Sequence, residues 1–217
     1  MKKALQLDKC HILLRSKDVP ESKSFFLALG LVPLRDTLFS DGSMCIELRD
    51  QVQSFPSLYI EGCDDQEIFD HYQDKGIVFD CSSNEQGETE LFFTDPNGLN
   101  IFIGEKTPAS PIVSSPCKIL ELSQSTKFFI ESVNFFTELG FDCIAQRSNY
   151  PKTLMTNGPT RLALHDSSKY SGQGIALSLP ENQIQSVKSI GFPLMKNADG
   201  SYLCFSPEGL RCTLFIS

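Results

Sequence analysis

The chain is 217 residues long, and length alone leans toward two compact units of about 100 residues each. A hydrophobic share of 41%, with 17 phenylalanines, supports a real core, and 21% charged residues place the chain among globular rather than disordered sequences. Nineteen basic against 27 acidic side chains give a formal charge of -8 with no basic cluster, which excludes a nucleic-acid backbone or an anionic membrane surface as partner.

The opening 1–14 lacks the long apolar core of a signal peptide, and no run reaches the 18 apolar residues of a membrane span, so a cytoplasmic location is expected. The 8 cysteines show no CxxC spacing and read as reduced thiols. Cys10, Cys45, Cys204 and Cys212 fall in apolar, strand-like stretches, where a cysteine behaves as a small buried hydrophobe.

In chain order, Lys9 to Leu14 reads as an apolar strand, followed by a capping box at Asp18-Val-Pro-Glu21. A helix follows, with Phe25, Phe26 and Leu29 on one stripe and Gly30 as its stop. Strands are expected around Leu31 to Arg35 and Met44 to Leu48. The order restarts with a strand at Ser57 to Ile60, a second capping box at 64–67, and a helix carrying Ile68, Phe69 and Tyr72 that ends at Gly76. Strands at Glu90 to Phe93 and Asn100 to Ile103 flank a tight turn at Asp95-Pro-Asn-Gly98. In the second half, helices are expected near Thr126 to Leu139 and Glu181 to Ser189.

The halves repeat each other. Glu21-Ser-Lys-Ser-Phe-Phe-Leu-Ala-Leu-Gly30 recurs as Glu131-Ser-Val-Asn-Phe-Phe-Thr-Glu-Leu-Gly140, and Asp95-Pro-Asn-Gly-Leu99 as Ser206-Pro-Glu-Gly-Leu210. Two motifs repeating at nearly one distance imply a duplicated unit, and each unit splits again into two, giving four βαβββ modules. The sheets should be mixed or mostly antiparallel, each curling around a groove with helices outside.

Paired βαβββ modules with this opening motif and this terminal turn resemble the vicinal oxygen chelate superfamily of glyoxalases, bleomycin-resistance proteins and extradiol dioxygenases. The resemblance implies an α+β fold of two tandem cup-shaped domains, over 1–106 and 117–217, joined by a linker at 107–116 within the Pro- and Ser-rich stretch 105–116.

It also implies a site. His11-Ile-Leu-Leu-Arg15-Ser-Lys-Asp18 looks like the opening strand of bacterial glyoxalase I, which puts His11 at the first metal position. Arg15 matches an arginine that meets an anionic part of the substrate, and Glu47 matches a carboxylate ligand. Strand alternation places His11, Leu13 and Arg15 on one face. The third ligand position falls at Phe55 or Pro56 and the fourth at Phe102, none able to bind a metal. In the second domain the corresponding residues are Glu121, Ala163, Gly174 and Thr213.

Working divalent sites use three or four protein ligands, so two do not suffice. No cofactor is expected, with a divalent metal as the alternative. His11, Arg15 and Glu47 then suit a small, partly apolar anion bound without a metal in the first cup. The competing readings are a lyase or dioxygenase built on a sparse His11 and Glu47 metal site, and a protein interaction scaffold. His71 and His165 read as surface residues, and the chain as a monomer or homodimer.

Overall fold

A near-continuous apolar run, buried on both faces from Cys10 to Leu14, makes Lys9–Arg15 a strand, β1, and Asp18 starts the helix that follows. The Asp18 carboxylate accepts the Glu21 amide at 3.0 Å, which satisfies one of the free N–H groups of the first turn of α1, Val19–Ala28. Gly30 then takes φ +93, the left-handed conformation that closes a helix, and Gly140 does the same at the repeated position. The computed structural model of the protein describes residues 9–50, 56–61, 77–83, 89–104, 114–147, 152–158 and 160–217. The expected capping box at 64–67 with its helix, His71, Phe55 and 105–113 of the linker stretch lie outside the described residues.

In the first half the strands after α1 are β2 (Val32–Pro33), β3 (Leu38–Ser40), β4 (Cys45–Arg49), β5 (Ser57–Glu61), β6 (Asp80–Ser83), β7 (Thr89–Thr94) and β8 (Asn100–Gly104). The second half contains β9 (Lys118–Thr126), α2 (Phe129–Glu138), β10 (Asp142–Arg147), β11 (Lys152–Thr156), β12 (Arg161–Asp166) and β13 (Gln173–Leu179). It ends with α3 (Glu181–Ser189), β14 (Met195–Lys196), β15 (Tyr202–Phe205) and β16 (Arg211–Ile216). The short β3, absent from the sequence reading, pairs with β2 and β4.

Each half forms one mixed sheet of 8 strands, in the orders β2-β3-β4-β1-β5-β8-β7-β6 and β10-β11-β12-β9-β13-β16-β15-β14. The two orders are the same once the second half is renumbered, so the duplication seen in the sequence is a duplication of topology. In each sheet the module-opening strands pair antiparallel at the centre, β1 with β5 and β9 with β13.

One face of each sheet carries Ile12, Leu14, Ile46, Leu58 and Ile101, or Leu122, Leu162, Leu164, Ile175 and Leu214, and these join a single apolar core with Phe25, Phe26 and Phe136 of the helices. The helices therefore cover the outer faces of both cups, as expected, and these outer faces pack together. Phe25 meets Phe192 at 4.7 Å and Phe93 meets Phe135 at 5.9 Å between ring centres.

The repeated turns reach across between the halves. Asn97 accepts from the Thr126 hydroxyl at 2.8 Å and donates to the Ser132 hydroxyl at 2.6 Å, while Glu208, at the same place in the second turn, accepts from the Ser22 hydroxyl. The shared core and these side-chain bonds occupy the helix-covered face of each sheet, and the opposite face is the concave one.

Candidate functional site

Strand alternation decides which residues enter the first cup. Leu13, Glu47, Tyr59 and Phe102 share its face, because β1 sets Leu13 beside Glu47 and His11 opposite Tyr59, and β5 sets Tyr59 beside Phe102. Leu13, Phe92 and Phe102 form a small buried cluster with Tyr59 packed against it, and Phe92 and Phe102 lie 5.2 Å apart. Gly104 makes room for this filling, since a Cβ there would collide with the Tyr59 hydroxyl.

The polar groups of the same cup are spent on one another. His11, only 4% exposed, has Nε2 at 3.0 Å from Glu61 and Nδ1 at 3.6 Å from Glu47, too long for a hydrogen bond. Arg49 donates from Nε to Glu47 at 3.0 Å and from Nη1 to both Glu90 oxygens at 2.8 and 2.9 Å, with its guanidinium 4.8 Å from the centre of the Tyr59 ring. Burial works to raise the Glu47 carboxyl, but His11 and the Arg49 guanidinium outweigh it and hold it below the usual carboxylate range. Burial, with the Glu90 charge, pushes the Tyr59 phenol up to about 12.

Of the three residues singled out in the sequence, His11 and Glu47 come together and Arg15 stands apart. Arg15 is the last residue of β1 and its register partner is Arg49, so two guanidiniums would compete for one place. Arg49 holds the carboxylates, while Arg15 is exposed and lines a separate cavity of about 440 Å³ with Asp18, Glu21 and Glu208. The cup's cation is thus Arg49, and its third polar group is Glu61. Both were legible in alternation, as Ser57, Tyr59 and Glu61 share one face of β5 and Glu47 and Arg49 one face of β4.

The donors do not fit a metal ion. A bound ion needs ligands converging on one point at about 2.0 to 2.3 Å, whereas Glu47 and Glu61 sit at opposite nitrogens of one imidazole. Pro56 is buried, Phe102 fills the fourth position, and among the described residues no group of three His, Cys, Asp or Glu is placed to hold a metal.

The second cup has the same frame and a different lining. Its register places Ser123, Ala163, Gly174, Ala176 and Thr213 on the concave face, where the first cup has Leu13, Glu47, Ser57, Tyr59 and Phe102. Gly174 is required by packing, since a Cβ there would stand 2.7 Å from the Arg211 carbonyl oxygen. A cavity of about 600 Å³ opens here, lined by Gln173, Leu203, Phe205, Arg211 and the turn at 171–172.

Beside this cavity Lys152 donates to both Glu121 oxygens at 2.7 and 2.8 Å. His165, read in the sequence as a surface residue following a strand end, is only 5% exposed; β12 runs on to Asp166 and alternation turns His165 inward with Ala163. Its ring stacks on Tyr170 at 4.3 Å, and the Arg211 guanidinium lies 5.0 Å from the centre of the Tyr170 ring. Burial, reinforced by Lys152 and Arg211 and opposed by Glu121, pushes the His165 imidazole down to about 4, so it is neutral at pH 7.

No protein-family model matches the sequence, and no curated protein matches it. Solved structures do match. The 2,3-dioxygenase LapB from Pseudomonas sp. KL28 aligns over 99% of this chain and 94% of its own at 14% identity, with a TM-score of 0.63. Homoprotocatechuate 2,3-dioxygenase from Arthrobacter globiformis aligns over 99% and 81% at 12% identity and 0.65, and a Mn(II)-bound glyoxalase from Novosphingobium aromaticivorans over 97% and 82% at 14% and 0.57. All three are vicinal oxygen chelate proteins, and identities this low carry the fold and nothing finer. Two 8-stranded cups back to back, matched over nearly the whole length, give this chain the tandem-domain vicinal oxygen chelate fold.

Proposed function

We propose that the protein binds a small, partly apolar anionic molecule without a metal, and that the second cup is the ligand chamber. The observation that carries this reading is the cavity of about 600 Å³ on the concave face of the second sheet, within the size range of ordinary ligand pockets of about 300 to 1,000 Å³. The first cup, at the same place in the fold, is filled by Leu13, Phe92, Phe102 and Tyr59. We take 1–106 and 117–217 as the two domains and 107–116 as their linker, supported by each sheet drawing its strands from one half.

The competing reading is a lyase or dioxygenase with a metal on His11 and Glu47. It requires the imidazole to turn until one nitrogen and both carboxylates converge, against the 3.0 Å bond to Glu61. Elemental analysis of protein purified without chelators separates the two. The binder reading expects well under one metal per chain, unchanged in His11→Ala. Stoichiometric Mn, Fe, Ni or Zn that disappears in His11→Ala would overturn it.

A further inference from the structure

The geometry points to Arg211 as the anchor of a monocarboxylate subsite in the second cup, for a flat aromatic or unsaturated acid whose body lies along Leu203 and Phe205. This inference rests on the second cup being the ligand chamber and adds the chemistry that the chamber selects.

Both Glu121 oxygens are taken by Lys152, so that pair is neutral, and the His165 imidazole is neutral at pH 7. Among the described residues Arg211 has no carboxylate within ion-pair distance, and its Nε is buried without a hydrogen-bond partner. A buried N–H left without an acceptor is costly, and the cost is greater on a cation. Among the described residues that line the cavity, Arg211 is the one that carries a charge.

Geometry then narrows the ligand. The Tyr170 ring stacks on the His165 ring and has the Arg211 guanidinium 5.0 Å from its centre, and Arg211 also lines the cavity. The edge of a guanidinium matches a planar carboxylate with two parallel hydrogen bonds, and a single free charge favours a monoanion over a phosphate dianion. Phe205, opposite Arg211 on β15 and 48% exposed, and Leu203 beside it supply an apolar wall for a flat body. Such an exposed aromatic next to a free guanidinium matches a ligand apolar at one end and anionic at the other.

The test is titration of the full chain with 2-naphthoate and with its neutral counterpart 2-naphthamide, following affinity by calorimetry and location by backbone amide shifts. The acid is expected to bind at least tenfold more tightly than the amide, with shifts at Leu203, Phe205 and Arg211. Arg211→Gln should abolish that preference, its fold verified by the amide spectrum. Gln173→Glu, which adds a negative charge on the cavity wall at nearly constant shape, should weaken the acid several-fold and leave the amide unchanged. Equal affinity for the two probes, with shifts still in the second cup, would overturn the carboxylate subsite and leave the chamber reading standing. A preference that survives Arg211→Gln would overturn the role of Arg211. Absence of binding by both probes, or shifts confined to His11, Tyr59 and Phe102, would overturn both readings.

Discussion

The two cups of this protein share a frame and differ in what fills it. At matching register positions the first cup has Leu13, Glu47, Tyr59 and Phe102, and the second has Ser123, Ala163, Ala176 and Thr213. The first is closed by aromatic packing and by carboxylates bonded to His11 and Arg49; the second keeps a cavity of about 600 Å³ and a guanidinium with no carboxylate partner among the described residues. One duplicated frame thus carries two different linings.

The largest expected effects break the closure of the first cup. Phe102→Ala removes the centre of its buried cluster and should lower stability by about 3 to 5 kcal/mol in urea unfolding. Glu61→Ala strips His11 of its short partner at 1% exposure and should cost about 3 kcal/mol, the low end for breaking a buried pair. A paired change of His11 and Glu61 to Leu should recover much of that loss, because it removes both desolvated polar groups together. If either single change costs less than about 0.5 kcal/mol, the level of an ordinary surface substitution, the first cup is not the packed body described.

A transplant sharpens the comparison further. Thr213→Phe copies Phe102 into the second cup, where Thr213 is half-buried and pairs with Leu203 of the cavity wall. It should change stability by no more than about 1 to 3 kcal/mol, the range for added core volume, while abolishing 2-naphthoate binding. Retained binding would place the ligand elsewhere.

Acid unfolding reports on His165. Its folded pKa of about 4 lies below the ordinary value of 6.5, so in the window between them the unfolded chain binds a proton that the folded chain does not. Stability from this group is complete above pH 6.5 and falls as the pH drops toward about 4, by at most about 1.4 kcal/mol per pH unit. His165→Gln should flatten that slope, and an unchanged slope would show that the imidazole is solvated.

The smallest effect belongs to Arg15, the residue the sequence favoured. Arg15→Ala should leave stability within about 0.5 kcal/mol and the affinity of either cup unchanged, since the side chain is exposed and faces another cavity.

These outcomes follow where sequence reasoning succeeded and where it stopped. The repeats at Glu21 and Glu131 and at the two Pro-containing turns carried the tandem architecture, because helix caps and tight turns are local and their residues are diagnostic. The His11 and Glu47 pair was legible from strand register. Alternation also carries Glu61, which shares one face of β5 with Ser57 and Tyr59, but the resembled ligand register points to Phe55 or Pro56 instead. The small residues Ser123, Ala163 and Ala176 of the second cup are buried, and the cavity is lined instead by Gln173, Leu203, Phe205 and Arg211, which the family register does not single out. The bonds of Asn97 and Glu208 across the halves depend on long-range placement, for which no local pattern exists.

The most direct measurement is a crystal structure of the protein soaked with 2-naphthoate. Density is expected in the second cup, with the carboxylate against Arg211 and the rings along Phe205, and the first cup should remain closed by Tyr59, Phe92 and Phe102. Density between His11 and Glu47 with Tyr59 displaced, and none beside Arg211, would contradict the division of labour between the cups.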